Sequence, residues 1–239
     1  MGATSGIGME IAKLCIAAGW RVGIAGRREP LEKLRMSAPS QVVAGCIDIT
    51  RESSATELIR LVEKLGGMDI YCHVSGIGAQ NPTLDPAVEL RTMETNVMGF
   101  TRMITAAYNY FARQGSGHIA VITSIAGTKG LGTATAYSAS KRMQNTYLDA
   151  LSQLSHMRKL KIAFTDIRPG FVATDLLNKE HRYPMLMPLW PVARKAFRAI
   201  VRRRRRVIID WKFSVLVFFW RLIPAGLWER MPVSVIKNE

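Results

Sequence analysis

A glycine-rich loop near the start of the chain constrains the fold more than any other feature. The segment Gly2–Gly8 reads GATSGIG, and Glu10–Ala18, with helically spaced apolar residues, and then Gly19 follow it. Glycines let a backbone turn tightly and approach a pyrophosphate, and the next helix directs its free N–H groups at that anion. The pattern predicts a dinucleotide-binding α/β fold. The residues expected to contact the cofactor here are Gly2, Ser5, Gly6, Ile7 and Gly8.

The remaining chain alternates between apolar runs of strand length and segments with helical periodicity. Strands are predicted at Arg21–Ala25, Val42–Ile47, Met68–Val74, Ile119–Ile122, Leu160–Ile167 and Val207–Asp210. This alternation is typical of a doubly wound (Rossmann), mostly parallel sheet with helices on both faces. We expect one domain over residues 1–210 and a short amphipathic C-terminal extension over residues 211–239.

No strand pattern precedes the glycine-rich loop. In a dinucleotide-binding fold a strand runs into this loop and is usually the central strand of the sheet. Without it, two neighbouring strands keep unpaired backbone groups, which is costly. We therefore expect that the first strand is missing from this chain and that the native product carries an upstream apolar, β-prone segment.

Composition bounds the class of protein. The net charge is +15, and residues 179–239 hold 14 Lys+Arg against 4 Asp+Glu, or about +10 of it. The three cysteines lack C-x-x-C spacing, which predicts reduced thiols in a cytoplasmic setting. The four histidines lack metal-ligand spacing, so we expect no metal. No signal-peptide pattern is present.

Three side chains suited to proton transfer lie within 20 residues. Ser124 follows the apolar run Ile119–Ile122, and Tyr137 and Lys141 stand one turn apart on the next predicted helix. An ammonium near a phenol favours the phenolate and lowers the pKa of the tyrosine, as a general acid/base near neutral pH requires. The alternative for Tyr137 and Lys141 is a chance pair on a helix surface.

Three further segments strengthen the interpretation of Ser124, Tyr137 and Lys141 as a site. The glycine-rich loop lies upstream, Asn96 in NVMG lies between, and residues 169–174 (PGFVAT) follow. In this order and spacing, the set resembles the short-chain dehydrogenase/reductase family of NAD(P)-dependent oxidoreductases, over roughly residues 1–210. The resemblance implies hydride transfer between nicotinamide C4 and an alcohol or carbonyl carbon, with the chemistry residing in the cofactor.

The resemblance also implies a catalytic tetrad. Tyr137 gives or takes the hydroxyl proton, and Ser124 hydrogen-bonds the substrate oxygen as charge develops on it. Lys141 lowers the pKa of Tyr137 and holds the nicotinamide ribose. Asn96 holds a water that links Lys141 to solvent and so completes a proton relay.

The second strand ends in Gly26-Arg27-Arg28, without the acidic residue that would bind the ribose hydroxyls of NAD(H). A small residue followed by two arginines leaves room for a 2′-phosphate and pairs with it, and Ser5 adds a hydrogen bond. NADP(H) is therefore favoured over NAD(H). The alternative is that Arg27 and Arg28 begin a solvated helix.

Other cofactor contacts follow from the resemblance. Asp48 is expected to hold the adenine, although it also fits a helix N-cap. The family's Asn-Asn-Ala-Gly is His73-Val74-Ser75-Gly76 here, so two amide side chains are lost and the glycine is kept. His73 is then either a partial substitute or a structural residue. The expected contacts beyond the loop are Arg27, Arg28, Asp48, Ile49, Gly76, Asn96, Tyr137, Lys141, Pro169, Gly170, Val172 and Thr174.

The substrate and partners are less constrained. Residues 176–191 occupy the place of a substrate lid and are rich in Leu, Met, Tyr and Trp, which indicates a hydrophobic substrate or simple packing. One face of the helix after Tyr137 carries small and apolar residues, and in the family that face often contacts a second subunit. We therefore expect a homodimer or homotetramer.

The basic C-terminal quarter has three interpretations. Arg202–Arg206 is unbroken, and Trp211–Trp228 has an apolar core of eight residues, Phe213–Trp220, far short of the ~20 that cross a bilayer. Trp, Phe, Lys and Arg together suit the interface of an anionic membrane on its inner face. The alternative is an extra helix packed on the body or on another subunit. Nucleic acid is disfavoured, because no aromatic-interleaved platform accompanies the charge.

Two other functions stay open. The first is reduction of a 3-oxoacyl group on an acidic carrier protein that docks on the basic C-terminal quarter. The second is a membrane-associated NADP(H)-binding protein with little catalysis, suggested by the missing strand and by His73-Val74. The complete tetrad Asn96, Ser124, Tyr137 and Lys141 argues against the second.

Overall fold

In the computed structural model, which describes residues 1–26, 30–177, 181–233 and 236–237, helices alternate with parallel strands as the sequence pattern predicts. The helices are α1 (Gly6–Ala17), α2 (Pro30–Ser37), α3 (Ser54–Leu65), α4 (Pro86–Met93), α5 (Phe100–Gln114), α6 (Thr135–Met157), α7 (Leu189–Val201), α8 (Trp211–Leu222) and α9 (Ala225–Trp228). The strands are β1 (Val22–Gly26), β2 (Val42–Cys46), β3 (Ile70–His73), β4 (Ser116–Ile122), β5 (Lys161–Pro169), β6 (His181–Arg182), β7 (Arg206–Ile209) and β8 (Ile236–Lys237).

The parallel strands form two separate sheets. Strands β3, β4, β5 and β7 form one sheet in that order, in which Ile119 pairs with Phe164 and Ile167 pairs with Val207. Strands β1 and β2 form a second parallel pair, with Val22 opposite Val42. Strands β6 and β8 pair antiparallel. The mostly parallel arrangement is confirmed, whereas the single continuous sheet is replaced by two.

The division between the two sheets lies between the facing edges of β1 and β3. Among the described residues, Met1, Gly2 and Ala3 make backbone hydrogen bonds to the facing edges of β1 and β3. The Met1 nitrogen donates to Cys72 O at 2.8 Å, and Gly2 N donates to Ala25 O at 2.8 Å. A cavity of about 760 Å³ lies behind these two residues, between the two sheets.

Helices cover both faces of the four-stranded sheet. On one face α3 and α5 pack together, with Phe100 and Phe111 fully buried. On the other face α1 packs against α7, and Ile11 and Ala196 join Ile122 in one apolar cluster. Burial of apolar side chains on both faces explains why the strands consist of nearly continuous apolar runs.

Two segments refine the predicted helices. The long helix region expected between Glu89 and Ala112 is α4 and α5 joined by a π-helical segment, Glu94–Gly99. The C-terminal extension is α8 and α9, broken at Pro224, which lies between them. Within the described ranges, no helix has the length and apolarity needed to cross a membrane.

Candidate active site

A cavity of about 550 Å³ lies at the carboxyl ends of the parallel strands. The last residue of β1 and the segments that follow β2, β3, β4 and β5 contribute to its wall, as expected for a ligand site in an open α/β sheet. The predicted residues that line it are Gly2, Ser5, Gly6, Ile7, Gly8, Asp48, Ile49, Gly76, Ser124, Tyr137, Lys141, Pro169, Gly170, Val172 and Thr174. Arg27 and Arg28 lie outside the described residues.

The glycine-rich loop is shaped as a cradle for a phosphate-bearing ligand. A Cβ on Gly8 would lie 2.0 Å from Gly2 O, so only glycine fits there. A Cβ on Gly26, at the end of β1, would lie 2.5 Å from Thr4 Cγ2. The loop then runs directly into α1, and the first-turn residues Gly6 and Ile7 line the cavity. The N–H groups of a first turn have no partner within their helix and suit an anion. This cradle fits a dinucleotide.

Ser124 and Tyr137 meet at the cavity wall. Ser124 follows β4, and its hydroxyl accepts a hydrogen bond from Ala126 N at 3.1 Å. Burial raises the pKa of the Tyr137 phenol, and a hydrogen bond with the Ser124 hydroxyl lowers it to a smaller extent. The sequence predicted that Lys141 lowers this pKa. The direction is the opposite, because desolvation outweighs the favourable contacts.

The position of Lys141 explains this difference. Its Nζ is 5.8 Å from the centroid of the Tyr137 ring and donates to Ile122 O at 3.3 Å and to Gln144 Oε1 at 3.1 Å. The side chain is buried, and desolvation lowers the pKa of Lys141 to about 8, although the charge of Asp166 raises it. The hydrogen bonds of the ammonium therefore go to Ile122 O and Gln144 Oε1, and not to the Tyr137 hydroxyl.

Asn96 is fully buried in the π-helical segment, a distortion often found at functional sites. Its side chain forms a paired contact with the backbone of Ile77, accepting from Ile77 N at 2.9 Å and donating to Ile77 O at 2.7 Å. Asn96 lies behind the cavity wall and holds the segment after β3 in place. The relay water that the resemblance implies for this residue stays a prediction.

Gln144 joins these elements and was not predicted. Its Nε2 donates to Asn96 O at 2.8 Å, while its Oε1 accepts from Lys141 Nζ. A side-chain amide thus bridges the lysine to the Asn96 backbone. The only sequence signal is its position three residues after Lys141, on the same face of α6.

Glu89 is a second residue that the sequence did not reveal. One carboxylate oxygen accepts from Asn81 Nδ2 at 2.9 Å, and the other accepts from Thr135 Oγ1 at 2.7 Å and Ala136 N at 3.0 Å. These bonds lower the pKa of Glu89. The carboxylate therefore anchors the first turn of α6, immediately before Tyr137, from α4.

Asp48 at the cavity rim and His73 in the core both have partners within the protein. Asp48 Oδ1 accepts from Thr50 N at 3.1 Å and Thr50 Oγ1 at 2.8 Å, so this aspartate orders the loop after β2. His73 is buried, and its Nδ1 is 2.9 Å from the Tyr71 hydroxyl. Burial lowers the pKa of His73 well below its usual range. His73 is a neutral core residue and does not replace the lost amides.

Helix α8 forms part of the wall on the substrate side. Phe213 and Val217 are buried against Ile125, and Trp220 and Phe171 both line the cavity. Lys129 Nζ donates to Ile223 O at 2.8 Å, and Trp228 Nε1 donates to Gly130 O at 2.7 Å. The extension is thus attached to the body on one face. Residues 178–180 of the predicted lid lie outside the described residues.

Side chains that bind metals are not grouped in the described part of the chain. No three His, Cys, Asp or Glu residues there lie close enough together to hold an ion.

The chain has clear similarity to known proteins. A family model described as short chain dehydrogenase matches residues 1–183. An uncharacterized oxidoreductase of Myxococcus xanthus is 30% identical over 236 residues, which cover 95% of this chain and 92% of that protein.

Solved structures share the fold. A short chain dehydrogenase/reductase from Burkholderia phymatum in complex with NAD superposes with a TM-score of 0.83 at 18% identity, covering 99% of this chain and 96% of that one. ElxO with NADP bound gives a TM-score of 0.78 at 20% identity, covering 90% and 97%. Identities this low support the fold alone.

Proposed function

The chain belongs to the short-chain dehydrogenase family of oxidoreductases, and from that premise we propose that it interconverts a carbonyl and a hydroxyl with NADP(H) as cofactor. One observation carries the proposal. The Ser124 hydroxyl hydrogen-bonds the Tyr137 phenol at the wall of a cavity that also contains the glycine cradle and Lys141. When bound, the nicotinamide supplies or accepts the hydride.

The protein's own residues handle the proton. Because burial keeps the pKa of Tyr137 high, the phenol retains its proton near neutral pH and donates it to the oxygen of a carbonyl that is being reduced. The Ser124 hydroxyl, in contact with the phenol, fixes the position of the substrate oxygen. This arrangement favours reduction, the direction that an NADPH-dependent enzyme serves in a cell.

NADP(H) is proposed over NAD(H) on the residues that follow β1. No acidic side chain occupies positions 26–28, and no acidic residue lies in the first turn of α1. The Ser5 hydroxyl does not cap α1, so it is available to the ligand. A 2′-phosphate placed there meets donors and positive charge, with no carboxylate to repel it.

The substrate is proposed to be hydrophobic. The cavity wall beyond Tyr137 is built mainly from large apolar side chains supplied by three separate segments. They are Leu131, Phe171, Leu176, Leu177, Tyr183 and Trp220.

A paired titration tests this function. Quenching of protein fluorescence is measured with NADPH and with NADH, for the wild type and for the double variant Arg27→Ala, Arg28→Ala. We expect the wild type to bind NADPH at least about tenfold more tightly, and the variant to lose that preference while keeping its NADH affinity. Equal NADPH and NADH affinities in the wild type would refute the NADP(H) assignment. Absence of NADPH oxidation with any carbonyl would refute the reductase.

The outward face of α8 supports a second proposal, contact with an anionic membrane surface. Trp211, Phe218, Phe219 and Leu222 are 69%, 60%, 58% and 63% exposed, although the opposite face of the helix is buried. Basic Lys212 and Arg221 lie within the same helix. Aromatic and cationic side chains on one exposed face suit the lipid headgroup region.

The arginine run is not part of this face. Residues 202–205 lie in the turn before β7, whereas α8 begins after its other end, roughly 13 Å away at about 3.3 Å per residue. Arg205 and Arg206 also share an ion pair with Asp149, at 2.6 and 2.7 Å. Membrane contact through α8 therefore rests on its aromatic residues more than on the five arginines.

Liposome flotation tests the membrane proposal. With phosphatidylserine-containing vesicles at low salt, we expect the wild type to float and the variant Phe218→Glu, Phe219→Glu to stay in the bottom fraction. The matched control is Met36→Glu with Leu90→Glu, which alters two equally exposed apolar residues elsewhere and should float like the wild type. Failure of the wild type to float at any salt concentration would refute the contact.

Self-association is proposed through α6. Its outward surface carries exposed Ala139, Ala150, Leu154 and Met157, while Leu148 and Leu151 pack into the body. A two-fold contact between two such helices accounts for the expected homodimer or homotetramer. Sedimentation of Leu154→Glu beside the wild type tests it, because a monomeric wild type would exclude this contact.

A further inference from the structure

A carboxylate is buried in β5, three residues before Pro169 at the cavity wall. Asp166 is fully buried, and burying a charge is costly unless the group is paired and hydrogen-bonded. Alternate residues of a strand face the same side, so the carboxylate shares its side of β5 with Phe164. Phe164 belongs to one apolar cluster with Leu148 of α6. Asp166 is therefore on the side of the sheet that α6 covers.

Both oxygens of the Asp166 carboxylate are bonded to neighbouring side chains. Thr123 Oγ1 donates to Asp166 Oδ1 at 2.5 Å, and Arg168 Nε donates to Asp166 Oδ2 at 2.8 Å. Thr123 and Arg168 are themselves buried. A buried network in which every member is satisfied is rigid, because losing one member leaves the others without a partner.

Thr123 connects this network to Ser124, the next residue. Thr123 N donates to Ile167 O at 2.8 Å, so both the main chain and the side chain of Thr123 are bonded to β5. The Ser124 hydroxyl then accepts from Ala126 N and hydrogen-bonds the Tyr137 phenol. The position of the Ser124 hydroxyl therefore depends on the buried carboxylate through its neighbour.

Positive charges face the Asp166 carboxylate from three elements. They are Lys141 on α6, Arg168 on β5, and Arg205 and Arg206 beside the start of β7. The two arginines beside β7 have a second acid, Asp149, at 2.6 and 2.7 Å. In the described part of the chain, Arg168 forms its ion pair with Asp166 alone. Asp166 is therefore the acid that balances the buried cations nearest the cavity.

Lys141 also faces two other titratable groups, Tyr137 on its own helix and His73 on β3. Both are neutral near pH 7, because burial raises the pKa of the phenol and lowers the pKa of the imidazole. Desolvation lowers the pKa of Lys141 to about 8, and the charge of Asp166 opposes this effect. Asp166 thus supplies the negative charge that keeps the ammonium in its protonated form.

We propose that Asp166 is a positioning residue for both proton-transfer groups of the site. Through Thr123 it fixes the Ser124 hydroxyl, and its charge stabilises the Lys141 ammonium. Asp166 is fully buried and does not line the cavity, so it acts only through these neighbours. Its effect on turnover rests on the proposed reductase function, whereas its effect on Lys141 does not.

Labelling of Lys141 in the cofactor-free protein tests the charge without using activity. Acetylation of Lys141 by acetic anhydride is followed against pH by peptide mass spectrometry, for the wild type and for Asp166→Asn. We expect an inflection near pH 8 in the wild type and one roughly one pH unit lower in the variant. The reason is that the reactive neutral amine persists to lower pH without the carboxylate. An unchanged inflection would overturn the action of Asp166 on Lys141.

A double variant keeps this test decisive if Asp166→Asn does not fold. The single change leaves the Arg168 guanidinium buried without its partner, whereas Asp166→Asn combined with Arg168→Met removes both charges together. The double variant should show the same downward shift, because Asp166 is the charge that acts on Lys141. A wild-type inflection in the double variant would overturn the proposal in the same way.

Thr123→Val tests the positioning of Ser124 separately, because it removes the hydroxyl and leaves the ion pair intact. We expect kcat to fall about tenfold, with the KM for the carbonyl and the Lys141 inflection unchanged. The matched control is Thr165→Val. Thr165 is fully buried on the opposite side of β5, where its hydroxyl is 2.8 Å from His118 Nε2, so kcat should remain that of the wild type.

Equal kcat values for Thr123→Val and Thr165→Val would overturn the positioning role. A wild type that reduces no carbonyl would refute the proposed function instead, and the labelling of Lys141 would still decide the role of Asp166.

Discussion

The two parallel sheets contribute differently to one site. The four-stranded sheet carries Ser124 at the end of β4, supports α6 with Tyr137, and contains the largest buried cluster, with Phe100, Phe111 and Leu148 fully enclosed. The β1–β2 pair carries the cofactor side, and its own cluster is small, with Ala12, Ile24 and Leu31 at its centre. In the proposed function, proton transfer is therefore built on the four-stranded sheet, while cofactor binding also depends on the β1–β2 pair, which joins the main core through Ala25.

Replacing Tyr137 by Phe should have the largest effect on activity. It should change proton transfer on the four-stranded sheet and leave cofactor binding unchanged. We expect kcat to fall about 10³-fold, because the proton donor is lost, with NADPH affinity and the melting temperature unchanged. The measurement is steady-state kinetics beside a binding titration.

Tyr147→Phe on the same helix is the control for Tyr137→Phe. Its hydroxyl is 3.1 Å from Thr105 Oγ1, away from the cavity, so activity should persist. Equal activities of Tyr137→Phe and wild type would contradict the assignment.

Gly8→Ala should impair the cofactor side of the site. The added Cβ would lie 2.0 Å from Gly2 O, so the loop must move and its phosphate cradle is distorted. We expect NADPH to bind at least about tenfold more weakly, a loss of 1.4 kcal/mol or more, as measured by fluorescence titration.

A control variant and a second measurement test the interpretation of Gly8→Ala. Gly226→Ala, whose Cβ meets no heavy atom within 4 Å, should bind NADPH normally. At saturating NADPH the kcat of Gly8→Ala should approach that of the wild type, because the proton-transfer groups are untouched. A large fall in kcat with unchanged affinity would show that the two sides are not separable.

Variants of Gln144 test the four-stranded side through the pH dependence of kcat. The pKa of Lys141 is about 8, below that of free lysine, so its charge is present below pH 8 and is lost as the pH rises through that value. Gln144→Leu removes an acceptor from the ammonium and should move the alkaline limit of kcat to lower pH by roughly one unit.

Gln144→Glu should shift the alkaline limit of kcat in the opposite direction. A carboxylate beside Lys141 favours the ammonium, so the alkaline limit should move to higher pH. Identical pH–rate profiles for both variants and the wild type would remove Gln144 from the site.

Asp149→Asn should have the smallest effect. Its ion pairs with Arg205 and Arg206 are at the partly exposed far end of β7, so we expect a loss of less than about 1 kcal/mol in the free energy of unfolding. Urea denaturation at low and high salt measures it, and the difference from wild type should vanish at high salt. Reduced NADPH affinity or kcat would show that this end of the sheet communicates with the site.

The strands and the glycine loop were predictable because their signals are local. Val42–Cys46 and Arg206–Ile209 are short, mainly apolar runs between turns, and the predicted strands form within three residues of their predicted bounds. Ser124, Tyr137 and Lys141 were predictable for the same reason, since a strand end and a helical turn set their positions.

Gln144, Glu89 and Trp220 were not predictable as site residues. Glu89 bonds to Thr135 and Ala136, 46 and 47 residues later, and Gln144 bonds to Asn96 O across 48 residues. No local pattern specifies contacts at such separations. The direction of the Tyr137 pKa was missed for a related reason, because spacing gives the neighbour Lys141 but not the degree of burial.

Sequence alone was sufficient for the alternation of strands and helices, the glycine-rich loop and the placement of Ser124, Tyr137 and Lys141 along one cavity wall, because these depend on residue type and on spacing within one or two elements. The tertiary structure decided the protonation preferences, the bridge from Lys141 through Gln144 to Asn96, the single attached face of α8, and the form of the gap between β1 and β3. These depend on desolvation and on contacts between distant segments, which exist only once the chain has packed.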